Sequence, residues 1–141
     1  MATTRTANAH WEGSLFDGSG RVSLDSSNLG AFDVTWAART EEPNGKTSPE
    51  ELIAAAHASC FNMALSNGLA QQGTPPAALD TRAEVTFQPG EGITGIHLTV
   101  RGQVDGMSAE DFEAAAQDAK VNCPVSQALR ATPITLDAAL A

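Results

Sequence analysis

Basic residues are scarce in this sequence. The sequence has eight lysines and arginines but 17 aspartates and glutamates, which gives a net charge of −9 at pH 7 and a pI near 4.5. A phosphate backbone binds protein by releasing counterions to clustered cations, and these cations are too few for that. The same deficit argues against docking on an anionic membrane surface. We therefore expect neither nucleic acid nor a membrane as a partner.

The sequence also lacks an apolar leader. Residues 1–12 contain no hydrophobic stretch long enough for a secretory signal. The 141 residues, 42% of them hydrophobic, suit one compact domain over residues 1–141 and are too few for a two-domain dinucleotide-binding enzyme. We expect a single-domain protein of the cytoplasm.

Cysteine is nearly absent, and only Cys60 and Cys123 occur. Two cysteines are too few for a secreted disulfide scaffold, and their separation excludes a CxxC motif or a cysteine-rich zinc site. Two thiols that the fold brings together in a reducing compartment could do chemistry, whereas two buried, inert cysteines are the alternative. The glycines form neither a GxGxxG motif nor a phosphate-binding loop.

Residue patterns predict an α+β fold. Alternating apolar residues predict strands over residues 8–15, 21–24, 31–38, 81–88, 93–104 and 134–140. In the third strand Val34 and Trp36 would share one face. N-cap and proline signals at residues 48, 49, 108 and 124 predict helices over 49–72, 109–122 and 124–131. This order of elements is typical of the α+β class.

The first predicted helix has an unusual lack of charge. From Leu52 to Leu79 there is no Asp, Glu, Lys or Arg. The stretch holds too many polar groups for a membrane span, and a surface helix would carry charge on its outer face. We therefore infer that a second copy of the chain covers part of this helix, which predicts a homodimer with a large apolar interface.

Local chemistry distinguishes the two thiols. Cys60 lies among apolar residues in the middle of the uncharged helix, where desolvation would raise its pKa and leave it inert unless the fold supplies a cation. Cys123 falls at the predicted N-cap of the third helix, where the helix dipole favours a thiolate. Local physics therefore favours Cys123 as the more acidic thiol, and a plain capping role is equally open.

The three histidines offer weaker candidates. His57 lies three residues before Cys60, so a Cys–His nucleophile pair is conceivable, but nothing marks a third, orienting group. His10 and His97 stand alone in predicted strands, where we expect ordinary contacts. We predict no metal site.

Three segments resemble a known family. They are Ala9-His10-Trp11-Glu12-Gly13, the stretch from Ser48 to Phe61, and the stretch from Asn122 to Leu129. Together they resemble the OsmC (osmotically inducible protein C) family, which is related to the organic hydroperoxide resistance proteins. His-Trp-Glu-Gly and Cys-Pro-Val-Ser resemble the OsmC branch in particular. The resemblance implies an intertwined homodimer with long central helices packed between antiparallel β-sheets.

The resemblance also implies an activity. It implies a cysteine-based peroxidase for organic hydroperoxides, and less efficiently for hydrogen peroxide, with Cys60 as the attacking thiol and Cys123 as the resolving one. This assignment reverses the local preference for Cys123. Arg39 and Glu50 would tune Cys60, with Arg21 a competitor for the arginine role. No cofactor would be needed, and a dithiol, of lipoyl type as a family-level guess, would restore the thiols.

The position of Glu50 carries a further expectation. Glu50 and Cys60 lie ten residues apart on one helix, about 15 Å along its axis, so they cannot touch within one chain. We therefore expect sites shared between subunits. Two other functions stay open at this point: an apolar-ligand-binding dimer with structural cysteines, and a thiol redox sensor.

Overall fold

The computed structural model describes all residues from Met1 to Ala141. Their contacts divide the chain into two compact units, which we call the N-terminal unit (Met1–Leu52) and the C-terminal unit (Ile53–Ala141). Both helices and strands are present, as the predicted α+β class requires. That residues 1–141 act as one domain stays a prediction.

The N-terminal unit contains a small antiparallel sheet of three strands in the order β1-β2-β3. The strands are β1 (Asn8–Glu12), β2 (Ser19–Ser23) and β3 (Ala31–Val34), and the short helix α1 (Trp36–Thr40) follows. Much of this unit's apolar surface is exposed, including Trp11, Leu15, Phe16, Leu29 and Phe32. The N-terminal unit thus buries little of its own apolar surface.

The predicted strand over residues 31–38 is wrong in its second half. Thr35 has an extended backbone, and its hydroxyl accepts a hydrogen bond of 3.1 Å from the backbone N–H of Ala38. This is an N-cap, and it ends the strand at Val34 and starts α1 at Trp36. Val34 and Trp36 therefore belong to different elements and share no strand face.

The long helix α2 (Pro49–Gln71) begins in the N-terminal unit and continues into the C-terminal one. Its predicted start is confirmed, because the Ser48 hydroxyl accepts a hydrogen bond from the backbone N–H of Glu51 at 3.2 Å. The spacing of Ser48 and Glu51 also predicts a capping box, in which the Glu51 carboxylate would accept a bond from the backbone N–H of Ser48. The carboxylate instead accepts a bond from the Thr47 hydroxyl at 2.5 Å.

The C-terminal unit contains a second three-stranded sheet, in the order β4-β5-β6. After α2 come β4 (Ala78–Gln88), β5 (Gly92–Gln103), α3 (Ala109–Asn122), α4 (Pro124–Ala128) and β6 (Ile134–Leu140). Helix α4 ends three residues earlier than predicted, because the N–H of Thr132 bonds to the carbonyl of Leu129 and closes a turn there.

The expectation of antiparallel sheets is wrong for one strand pair. β4 and β5 form an antiparallel hairpin, but β6 pairs with β5 in parallel. A parallel pair needs a long crossover connection, usually a helical one. The segment between β5 and β6 contains α3 and α4, so it provides that connection.

The core of the C-terminal unit lies between its sheet and its helices. Ile96, Leu98 and Val100 of β5 are buried on one face, as the alternation predicts. Phe61, Leu65 and Leu69 of α2 and Phe112 and Ala116 of α3 belong to the same core cluster. None of the helices is both long and apolar enough to cross a bilayer.

We expect the Gly102→Ala substitution to destabilise the protein. A Cβ atom at Gly102 would lie 2.5 Å from Cζ of Phe112, so the buried ring or the strand must shift. Overpacking of this kind costs about 2 kcal/mol of unfolding free energy. Urea denaturation measures the change.

Gly95→Ala is the matched control in the same strand. The nearest atom to its added Cβ is the Pro133 carbonyl oxygen at 3.8 Å, an ordinary contact. We expect a change within about 0.5 kcal/mol. Equal effects of the two substitutions would contradict the packing explanation.

Candidate functional site

The two cysteines meet in the C-terminal unit. Cys60 lies in the middle of α2 and is half-buried, whereas Cys123 is the N-cap residue of α4 and is fully buried. The Cys60 side chain packs against the core cluster that contains Cys123, the Cys123 thiol lies close enough to raise the pKa of the Cys60 thiol, and both cysteines are free. The fold thus brings together two sulfur atoms that are remote in the sequence.

The environment of Cys60 disfavours its thiolate. Burial raises the pKa of the Cys60 thiol, and the neighbouring Cys123 thiol raises it further. A backbone hydrogen bond from Val125 acts in the opposite direction. No Lys or Arg of the C-terminal unit is among the groups that lower this pKa. The predicted effect of the apolar helix on Cys60 is therefore confirmed.

Cys123 caps α4 by position only. Its side chain makes no capping hydrogen bond, and Pro124 occupies the first helical position as predicted. The thiol belongs to the buried core cluster together with residues of α2, β5 and α3. Its site is closed to solvent, in contrast to that of Cys60.

A cavity of about 520 Å³ lies beside Cys60. It is formed by α2, α3 and the start of α4. The residues that line it are Cys60, Met63, Ala64, Asn67, Gly68, Gln71, Gln72, Ala115, Asp118, Ala119, Asn122 and Pro124. A volume of this size fits a small organic molecule.

Arg39 and Glu50 form a close ion pair in the N-terminal unit. Nε of Arg39 donates to both carboxylate oxygens of Glu50, at 3.0 and 3.2 Å, and Nη2 donates to Oε2 at 2.8 Å. Glu50 is buried, with 7% of the residue exposed. The guanidinium also lies 5.9 Å from the ring centre of Trp36. This fork geometry fixes the direction of the Arg39 side chain.

Arg21, the competing arginine, has a different partner. Its Nη1 donates to Oδ1 of Asp33 at 2.6 Å, and both side chains are more than half exposed. Glu50 therefore pairs with Arg39 and not with Arg21.

A second buried polar pair was missed by the sequence analysis. Nε2 of His57 lies 2.7 Å from the hydroxyl of Ser126, and both residues are buried. Burial lowers the pKa of His57. Each partner lies three residues from a cysteine, and this spacing is the one signal that could have found the pair.

The other histidines make the ordinary contacts expected of them. His10 lies 3.3 Å from the carboxylate of Glu12 in the exposed strand β1. Nδ1 of His97 lies 2.6 Å from the hydroxyl of Thr135 on the neighbouring strand β6. No three histidine, cysteine or carboxylate side chains gather closely enough to hold a metal ion.

Two neighbouring free thiols on an α+β scaffold suit thiol-dependent redox chemistry, and comparison with known proteins identifies the family of this chain. Residues 42–137 match the family model described as OsmC-like protein, so the chain belongs to the OsmC-like family. It is 44% identical over 140 residues to peroxiredoxin OsmC of Escherichia coli, covering 97% of this chain and 96% of the relative.

More distant similarities agree with this assignment. The organic hydroperoxide resistance protein OhrA of Bacillus subtilis is 34% identical over 92 residues, or 64% of each chain. A crystal structure of an organic hydroperoxide resistance protein OsmC from Legionella pneumophila has a TM-score of 0.69. It is 23% identical and covers 98% of this chain and 99% of its own, so it supports the fold.

We expect Glu50→Ala to cost more stability than Asp33→Ala. The first substitution leaves a partly buried guanidinium without its bidentate partner, at a cost of about 2 kcal/mol. The second breaks an exposed pair, which is worth less than about 1 kcal/mol. Urea denaturation of the two variants measures the difference, and equal costs would contradict it.

Proposed function

We propose that this protein reduces organic hydroperoxides, and hydrogen peroxide less efficiently, through a sulfenic acid at Cys60 and a Cys60–Cys123 disulfide. The observation that carries the proposal is the proximity of the two thiols. The cavity beside Cys60 supports an organic substrate, because apolar side chains such as Met63 and Ala115 contribute to its wall.

The broader class rests on similarity. The chain is a peroxiredoxin-like peroxidase, as its 44% identity with peroxiredoxin OsmC over nearly the whole length supports. The names of its more distant relatives point to organic hydroperoxides as the substrate class. Because the cycle needs a supply of dithiols, we place it in the cytoplasm, where thiols are kept reduced.

In the first step, the Cys60 thiolate attacks the distal oxygen of ROOH. The O–O bond breaks, the alkoxide takes up a proton and leaves as the alcohol, and Cys60 becomes the sulfenic acid. This step needs the thiolate, which burial disfavours in the C-terminal unit. A guanidinium beside the sulfur would offset that desolvation, and we assign this role to Arg39, held by Glu50.

In the second step, the Cys123 thiol attacks the sulfenic sulfur, and the two condense to a disulfide with loss of water. An external dithiol then reduces the disulfide by thiol exchange and is itself oxidised to a disulfide. A lipoyl-type dithiol is our candidate reductant. The electrons that reduce the peroxide thus come from the dithiol, and the protein returns to its starting state.

We propose that the active form is a homodimer. The exposed side of α2 carries no charge between Ile53 and its end, and its exposed residues are Ala55, Ala56, Ser59, Met63, Asn67, Ala70 and Gln71. The exposed apolar side chains of the N-terminal unit also support a homodimer. A second copy of the chain would cover both surfaces.

Cysteine variants test the chemistry. We expect Cys60→Ser to lose cumene hydroperoxide turnover with a dithiol as reductant, since no sulfur is left to attack. We expect Cys123→Ser to reduce one equivalent of hydroperoxide and to retain a sulfenic acid that dimedone traps. Mass spectrometry identifies the products.

Other results would favour the rival functions. A wild-type protein whose thiols stay reduced with one equivalent of hydroperoxide would contradict the peroxidase proposal and favour an apolar-ligand-binding dimer. A disulfide that forms but is not turned over by dithiols would favour a redox sensor. Full turnover by Cys60→Ser would contradict the assigned role of Cys60.

Mixed dimers test whether Arg39 and Glu50 of one subunit serve Cys60 of the other. A heterodimer of one Glu50→Ala chain and one Cys60→Ser chain, purified with two different tags, then has one intact site and one doubly altered site. We expect half the wild-type turnover. Sites within single chains would instead give half the turnover of the Glu50→Ala homodimer.

A further inference from the structure

One buried polar pair has no part in the cycle proposed above. The hydrogen bond between His57 and Ser126 joins α2 to α4 across 69 residues of sequence, and Nε2 lies 2.7 Å from Oγ. The two thiols lie close together between the same two helices, with Cys60 on α2 and Cys123 at the start of α4. Cys60 follows His57 by three residues, and Ser126 follows Cys123 by three. The hydrogen bond and the thiol pair are thus two neighbouring links between the helices.

We propose that His57 and Ser126 are positioning residues, whose hydrogen bond holds α4 in the register on α2 that lets the Cys123 sulfur attack oxidised Cys60. This inference rests on the proposed function and extends it to a pair that lies outside the sulfur chemistry itself.

The hydrogen-bonding state of His57 excludes a role as the base for Cys60. Its Nε2 is engaged by Ser126, and its Nδ1 has no hydrogen-bond partner, so neither nitrogen contacts the thiol. A buried N–H without a partner is rarer and more costly than an unpaired acceptor. The imidazole therefore donates through Nε2–H to Ser126 and keeps a lone pair on Nδ1. Burial lowers the pKa of His57 and so favours this neutral form.

Helix α4 needs such a link because it is short. It contains five residues, and a helix of that length has little stability of its own. Nevertheless it must hold Cys123 against Cys60 and place Val125 where its backbone bonds to the same thiol. A disulfide forms only over a narrow range of sulfur and Cβ positions. Ser126 is buried in the middle of α4, so its bond to His57 fixes the helix where this precision is needed.

The link matters for the second step of the cycle. Of the two sulfur atoms, peroxide attack uses only that of Cys60, which lies on the 23-residue helix α2. Disulfide formation needs the Cys123 sulfur to be aligned with that of Cys60. This holds whether Cys60 is present as the sulfenic acid or as a mixed disulfide. Loss of the hydrogen bond should therefore slow disulfide formation relative to the first attack by Cys60.

An aromatic disulfide, 5,5′-dithiobis(2-nitrobenzoate), separates these two steps without any peroxide. The Cys60 thiolate attacks it and releases one thionitrobenzoate. The Cys123 thiol then attacks the mixed disulfide, releases the second thionitrobenzoate and closes the Cys60–Cys123 bond. Stopped-flow absorbance follows both releases. The rate of the second release divided by that of the first measures how well Cys123 is aligned with Cys60.

The variants are chosen so that folding and alignment can be told apart. Ser126→Ala removes the acceptor, whereas Ser126→Thr retains a hydroxyl and His57→Gln retains a donor near the position of Nε2. The double variant His57→Leu/Ser126→Ala removes both polar groups, so no buried donor is left unsatisfied and the fold is spared that cost. Thr135→Ala is the matched control, because the Thr135 hydroxyl also bonds to a histidine ring nitrogen, Nδ1 of His97 at 2.6 Å, but that exposed pair joins two strands of the sheet.

We expect the second release to slow by about tenfold relative to the first in Ser126→Ala and in the double variant, the effect of one lost hydrogen bond. Ser126→Thr and His57→Gln should recover most of the ratio, and Thr135→Ala should keep it. A folded Ser126→Ala or double variant with the wild-type ratio would overturn the inference. Equal slowing of both releases would also overturn it, because it would indicate a general structural role.

The hydroperoxide assay keeps the two proposals distinct. If cumene hydroperoxide leaves the wild-type thiols reduced, the peroxidase proposal fails, yet the release ratio still tests the alignment. If the hydroperoxide yields the disulfide in the wild-type protein while the ratio is unchanged in all variants, the alignment inference fails and the peroxidase proposal stands.

Discussion

The burial of the Cys60 thiol is the constraint on which the site depends. The side chain lies on an uncharged helix that packs on a sheet, so its thiolate loses hydration without gaining a cation from the C-terminal unit. Only the backbone bond from Val125 acts in its favour. The same apolar setting gives the site a cavity suited to an organic molecule. The apolar surroundings therefore have two effects: they disfavour the Cys60 thiolate, and they suit the cavity to an organic molecule.

Much of the fold could be predicted from the sequence because its signals are local. The Ser48 and Ser108 caps start α2 and α3 where the pattern places them, and the alternation in β5 identifies its buried face. The cap at Thr35 was overlooked, because the apolar spacing of Val34 and Trp36 fits a strand equally well. The parallel pairing of β6 has no local signal, since it depends on which strand edge the crossover reaches.

The candidate site likewise has features with a local sequence signal and features without one. Local physics correctly predicts that burial penalises the Cys60 thiolate. Its preference for Cys123 as the more acidic thiol stays a prediction, and it gives no sign that Cys123 is closed to solvent. The resemblance to a family, not residue spacing, identified Arg39 and Glu50, and the structure pairs them. His57 and Ser126 are 69 residues apart in the sequence, and only their matching three-residue spacing from a cysteine hints at the contact between them.

The complete burial of Cys123 has a kinetic consequence for the proposed cycle. A molecule from solution reaches only the sulfur of Cys60, so the oxidising and the reducing substrate must use the same atom in turn. The two substrates then never occupy the protein together, and each half of the cycle leaves a covalently altered enzyme for the other. Such an enzyme follows ping-pong kinetics, with parallel lines in double-reciprocal plots.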